Sequence, residues 1–227
     1  MKTKFIALAA FLLVVSLSSR AQVLRVGVNL ANVTITNDGD IDDNSMLTSF
    51  QAGFTGNLKI APFLFFQPGI LFTGKGSKTQ SGATTDANYY RATSNPYYVE
   101  IPANFVFKSP TAPIRFFAGA GPYLAIGVAG KNKVEGKFAN IAFSSEKSIE
   151  WSNDDPSTLN YEEGSGYGIL KRFDYGLNGT AGIETKNIVL AANYGYGLAK
   201  LQSGSSNSSA DDKNKHRVLS FTVGIKL

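Results

Sequence analysis

Arg217-Val218-Leu219-Ser220-Phe221-Thr222-Val223-Gly224-Ile225-Lys226-Leu227 decides the fold class. Leu219, Phe221, Val223, Ile225 and Leu227 occupy one parity. Val218, Ser220, Thr222, Gly224 and Lys226 occupy the other. Successive side chains of a strand point to opposite faces, so this is a strand with one apolar face and one mostly small or polar face. A free edge in such a strand is an aggregation hazard unless the sheet closes on itself. An apolar outside around a polar inside reverses the arrangement of a soluble barrel and suits a barrel whose solvent is lipid.

The same alternation predicts eight strands, at residues 24–35, 48–60, 63–75, 97–108, 114–129, 170–185, 188–201 and 217–227. In the first, Leu24, Val26, Val28 and Leu30 share one face, and Arg25, Gly27, Asn29 and Ala31 the other. Phe50, Phe54, Phe72, Val99, Ile101, Phe105 and Phe107 continue the apolar face in the strands that follow. Pro68 removes a ladder hydrogen bond and predicts a bulge or irregularity in the third strand. Short turns at Ala61, Ser109 and Lys186 alternate with long polar connections at 37–45, 76–95, 130–168 and 202–215. Short periplasmic turns and long outer loops mark transmembrane barrels. Residues 137–143 are expected to form a hairpin arm above the membrane. The fold class is therefore all-β, an eight-stranded antiparallel up-and-down transmembrane β-barrel. A soluble lipocalin-like barrel would need the apolar face inside, where this chain places its charges.

Lys2 and Lys4, the apolar run from Phe5 to Leu17, and Ser19-Arg20-Ala21 read as a secretory signal peptide at residues 1–21, followed by a single barrel domain at 22–227. Export to the outer membrane of a Gram-negative cell is expected. The apolar run is shorter than the roughly 20 residues of a spanning helix. Three of the 22 basic residues lie in the signal, leaving 19 against 17 acidic ones, so no nucleic-acid footprint is expected. With no cysteine, the chain has no disulfide, thiolate metal site or lipoprotein anchor.

Parity sends Arg25, Lys59, Glu100, Arg115, Asp174, Glu184 and Lys226 into the lumen. Buried charges need partners, and an eight-stranded barrel is just wide enough for side chains to fill. The reading is a plugged, ion-paired interior, with Arg25 and Arg115 as the cations expected beside Glu100. A polar solute path is the alternative. His216, the single histidine, follows a serine- and asparagine-rich loop. A surface enzyme would need that histidine within reach of a fixed nucleophile, which such a loop does not promise. No catalytic residue, cofactor or metal is therefore expected. Asp38-Gly39-Asp40-Ile41-Asp42-Asp43 lacks the ligand spacing and distal glutamate of a calcium loop. Phe63, Phe65 and Phe66 near one end, and Tyr89, Tyr90, Tyr97 and Tyr98 near the other, read as interfacial girdles. The expected partners are outer-membrane lipid and a protein at the outer loops.

Several segments carry a family resemblance: Arg25-Val26-Gly27-Val28-Asn29-Leu30, Phe66-Gln67-Pro68-Gly69-Ile70-Leu71, Tyr98-Val99-Glu100-Ile101-Pro102, Ala118-Gly119-Ala120-Gly121-Pro122-Tyr123, Phe173-Asp174-Tyr175-Gly176 and Tyr196-Gly197-Leu198. Together they resemble the PorT-type outer-membrane β-barrels of Bacteroidetes over nearly the whole exported chain. Gly69 departs from the family pattern, which often has a glutamate there. The resemblance implies an outer-membrane barrel of eight strands. Its named member is linked to protein secretion, which makes a secretion accessory one expectation for this chain.

Overall fold

The computed structural model describes residues 22–34, 46–110, 113–152, 169–201 and 215–227. The expected signal peptide at 1–21, the acidic segment at 37–45 and most of the serine-rich connection (202–214) lie outside them.

The strands are β1 (Val23–Val33), β2 (Leu47–Thr55), β3 (Leu58–Lys59), β4 (Leu64–Gly74), β5 (Ser77–Ser81), β6 (Tyr89–Lys108), β7 (Arg115–Phe138), β8 (Ile141–Ser148), β9 (Glu150–Trp151), β10 (Ile169–Leu170), β11 (Phe173–Glu184), β12 (Ile188–Gly197) and β13 (His216–Lys226). Eight of them form a closed antiparallel ring, in the order β1, β2, β4, β6, β7, β11, β12, β13 and back to β1. Val23 opposite Lys226 begins the closing ladder, and Val33 opposite His216 ends it. Closure gives each ring strand two partners, which is the condition for backbone in hydrocarbon.

Alternation holds around the ring. Val26, Phe54, Phe105, Leu124, Leu177 and Phe221 are exposed on the outside, while Arg25, Gln51, Glu100, Tyr123, Thr180 and Thr222 are buried within. Thr185 and Ile188 close the tight turn at Lys186, with Thr185 N–H donating to the Ile188 carbonyl at 2.8 Å. Gln22 lies at the same end, accepting from Leu227 N–H at 2.9 Å.

Pro68 produces an irregularity without a bulge. Gly56 and Asn57 fall outside the ladder opposite Pro68 and Gln67, yet pairing resumes at Leu58–Phe66 in the same register. The register shift lies elsewhere, between Tyr97 and Tyr98 of β6 against β7.

The largest departure from the sequence reading is at the outer end. Residues expected in polar loops extend β6 to 20 residues and β7 to 24. With β5 and β8 they build a four-stranded arm in the order β5-β6-β7-β8. The hairpin expected at 137–143 is there, and pairing extends from Phe138–Ile141 to Lys131–Ser148. Ala139 and Asn140 turn it with φ of 49° and 65°. Two successive left-handed residues match the twist of the strands they join.

Candidate functional site: the lumen charge network

Two ion-paired clusters fill the barrel. The outer one centres on Lys75, which follows β4. Its Nζ lies 2.7 Å from Glu100 Oε2 on β6 and 2.9 Å from Asp174 Oδ2 on β11. The Tyr123 hydroxyl donates to the same Asp174 oxygen at 3.1 Å. Asn178 Nδ2 donates to Glu100 Oε1 at 3.0 Å. Lys75 also sits 4.0 Å from the centroid of the Tyr123 ring. Five side chains from four parts of the ring thus tie across the lumen. A buried pair is tolerable when its remaining valences are hydrogen-bonded, and here they largely are.

Above this knot, Tyr98 is fully buried. Its ring meets Trp151 and His216 edge-on, at centroid distances of 5.6 and 5.4 Å. His216 Nε2 lies 3.3 Å from the Tyr98 hydroxyl. The histidine is therefore an interior packing residue.

The inner cluster surrounds Glu184. Lys108 Nζ is 2.9 Å and Lys226 Nζ 3.2 Å from Glu184 Oε2; Arg115 Nη1 is 3.5 Å from Oε1. Lys108 also lies 4.7 Å from the Phe65 ring centroid.

Of the residues expected in the lumen, Arg25, Glu100, Asp174 and Glu184 are buried, and Arg115 and Lys226 are partly covered near the inner rim. Lys59 is exposed. It lies on the two-residue β3, beyond the break in the ladder at Gly56 and Asn57. Glu100 takes neither Arg25 nor Arg115: its cation is Lys75. Lys75 and Lys108 were missed, though each continues the inward parity of its strand, Lys75 after Thr73 and Lys108 after Val106.

The aromatic groups divide in the same way. Tyr97 stacks on Phe72 at 5.4 Å, and Phe66 packs on Phe105 at 5.3 Å, both on the lipid face. Phe65 and Tyr98 turn inward, while Tyr89 and Tyr90 belong to the arm.

On the arm, Arg91 Nη1 lies 3.1 Å from Glu135 Oε1, and Lys131 Nζ lies 2.6 Å from Glu146 Oε1. The hydrogen bond from Lys133 holds the Glu135 carboxyl below its ordinary range. Every residue of β8 is exposed, and Phe138 and Ile141 stand 74% exposed on either side of the turn.

Residues 18–203 match the family described as outer membrane protein beta-barrel domain. Among curated proteins none matches. Ail, the attachment invasion locus protein of Yersinia pestis, is 15% identical over 90% of this chain and 95% of its own, with a TM-score of 0.38. Neisserial surface protein A is 16% identical over 92% of this chain and 98% of its own, with a TM-score of 0.39. Likeness at that level says nothing of activity.

Proposed function

The chain belongs to the outer membrane protein β-barrel domain family, and from that premise we propose that it is a non-enzymatic structural or interaction protein of the outer membrane, acting through its outer surface. The observation that carries this reading is the division of labour along the barrel axis. The lumen is crossed by the Lys75, Glu100, Asp174 and Tyr123 knot, while the outer end carries a four-stranded arm whose last strand, β8, is exposed at every residue. An exposed strand at the margin of a sheet is a surface on which a partner chain can dock. His216 is turned into the core beside Tyr98, which speaks against a surface enzyme built on it. The PorT-type resemblance adds a narrower reading, a protein-secretion accessory whose partners dock on the arm.

The test is a cross-linking pull-down from native outer membranes, comparing the full chain with a variant in which residues 131–148 are replaced by a short turn. Partners recovered by the full chain and lost from the variant support the proposal. The same partners on both, or none on either, would remove the arm from the account.

A further inference from the structure

Arg25 feels the Glu184 carboxylate only at longer range, and among the described residues it forms no salt bridge with either cluster. It is 7% exposed, and its Nε and Nη2 are buried without a hydrogen-bond acceptor among the described residues. The three lumen carboxylates are engaged elsewhere: Glu100 and Asp174 with Lys75, and Glu184 with Lys108, Arg115 and Lys226. An unpaired guanidinium in such a place is strongly unfavourable.

The backbone around it makes room. Arg25 lies opposite Gly224 on β13 and Gly53 on β2. A Cβ on Gly224 would come within 3.2 Å of Arg25 Cγ, so the arginine stem lies across the space a side chain there would take. Arg25 lines a cavity of about 50 Å3 together with Gln51, Thr55, Asn104, Asn193 and Thr222. Thr222 already donates to the Ala191 carbonyl and Asn193 to Thr222, while the buried Thr55 hydroxyl has no partner among the described residues and Gln51 and Asn104 bring amide N–H groups to the same space. Glu100 also lines this cavity, turned toward Lys75, which it shares with Asp174. The volume admits a few water-sized bodies at most.

We propose that the lumen holds a small inorganic anion of halide size against the Arg25 guanidinium. The anion supplies the acceptor that the Arg25 guanidinium lacks, in a lumen where, among the described residues, Arg25, Lys75, Lys108, Arg115 and Lys226 face only the carboxylates of Glu100, Asp174 and Glu184. It is a structural counter-ion, held below the Lys75 knot.

The test compares urea unfolding of the barrel in lipid vesicles, in chloride and in gluconate at equal ionic strength. A ligand that binds the folded state alone raises the folding constant about tenfold per tenfold rise in concentration above half-saturation. That response is expected for the wild type in chloride and absent in gluconate. Arg25→Met should lose it. Equal wild-type midpoints in the two salts, or a chloride response that survives in Arg25→Met, would overturn the site. Should Arg25→Met fail to fold, wild-type crystals grown in bromide decide instead: anomalous density beside the guanidinium supports the proposal, and its absence refutes it.

Discussion

Lys75 bridges two carboxylates from different strands, so removing it leaves Glu100 and Asp174 facing one another in a buried site. Breaking a buried pair by deleting one partner costs about 3–5 kcal/mol, a large share of the roughly 5–15 kcal/mol that holds a domain folded. Lys75→Met should therefore lower the urea midpoint strongly. Glu100→Ala should lower it less, because Lys75 keeps Asp174. Glu135→Ala, in the partly exposed cluster on the arm, should leave it near wild type, since exposed pairs contribute little. Similar midpoints for Lys75→Met and Glu135→Ala would mean that water reaches the knot. His216 allows a different comparison. Its ring packs edge-on against Tyr98 in a fully buried position. His216→Ala should destabilise the barrel by leaving a cavity, whereas His216→Phe should recover most of the loss. If His216→Phe folds well but disturbs the outer membrane as His216→Ala does, the imidazole has a chemical role and the packing account fails.

Among the elements, β7 carries a testable close approach. A Cβ at Gly127 would collide with the Trp151 ring, and Gly127 lies beside the register shift at Tyr97 and Tyr98. Gly127→Ala should displace Trp151 from Tyr98. Because Trp151 is the single tryptophan, its emission should move to longer wavelength while the far-ultraviolet strand signal stays. Unchanged emission would show that Trp151 has room to give. The arm also shows where sequence reading stops. In the ring, lipid outside and a polar lumen inside force a period of two, so Phe105 and Glu100 could each be placed by parity. In the arm, β8 meets water at every position, so no apolar face exists and Ser144, Ser145 and Glu146 read as loop. Ladder pairing, not side-chain burial, holds such a strand. Likewise parity could place Glu100 inside but could not choose its cation. That choice depends on which strands face each other across the lumen, and parity alone does not tell that Lys75, the last residue of the strand expected at 63–75 and one residue past the end of β4, reaches across to Glu100 and Asp174.

For the whole molecule, closure and plugging lead to separate expectations. Closure depends on the ladder between β1 and β13, continuous from Val23–Lys226 to Val33–His216. A closed barrel resists detergent until heated, so unboiled and boiled samples should migrate differently on a denaturing gel, and identical mobility would argue against the ring. Plugging depends on what lies inside it. Lys75, Glu100, Asp174 and Tyr123 meet across the lumen, Tyr98, Trp151 and His216 pack above them, and Glu184 with its three cations lies at the inner end. An ion crossing this barrel would have to part buried, hydrogen-bonded ion pairs, each worth several kcal/mol to break. An eight-stranded ring has no spare width to route it around them. The pure protein in planar bilayers should therefore stay silent at voltages where open porins conduct. Lys75→Met gives the control, because it removes the cation that draws Glu100 and Asp174 together. If the wild type already shows steady, reproducible steps and Lys75→Met leaves them unchanged, the knot is not the barrier and the interior is a path for solute.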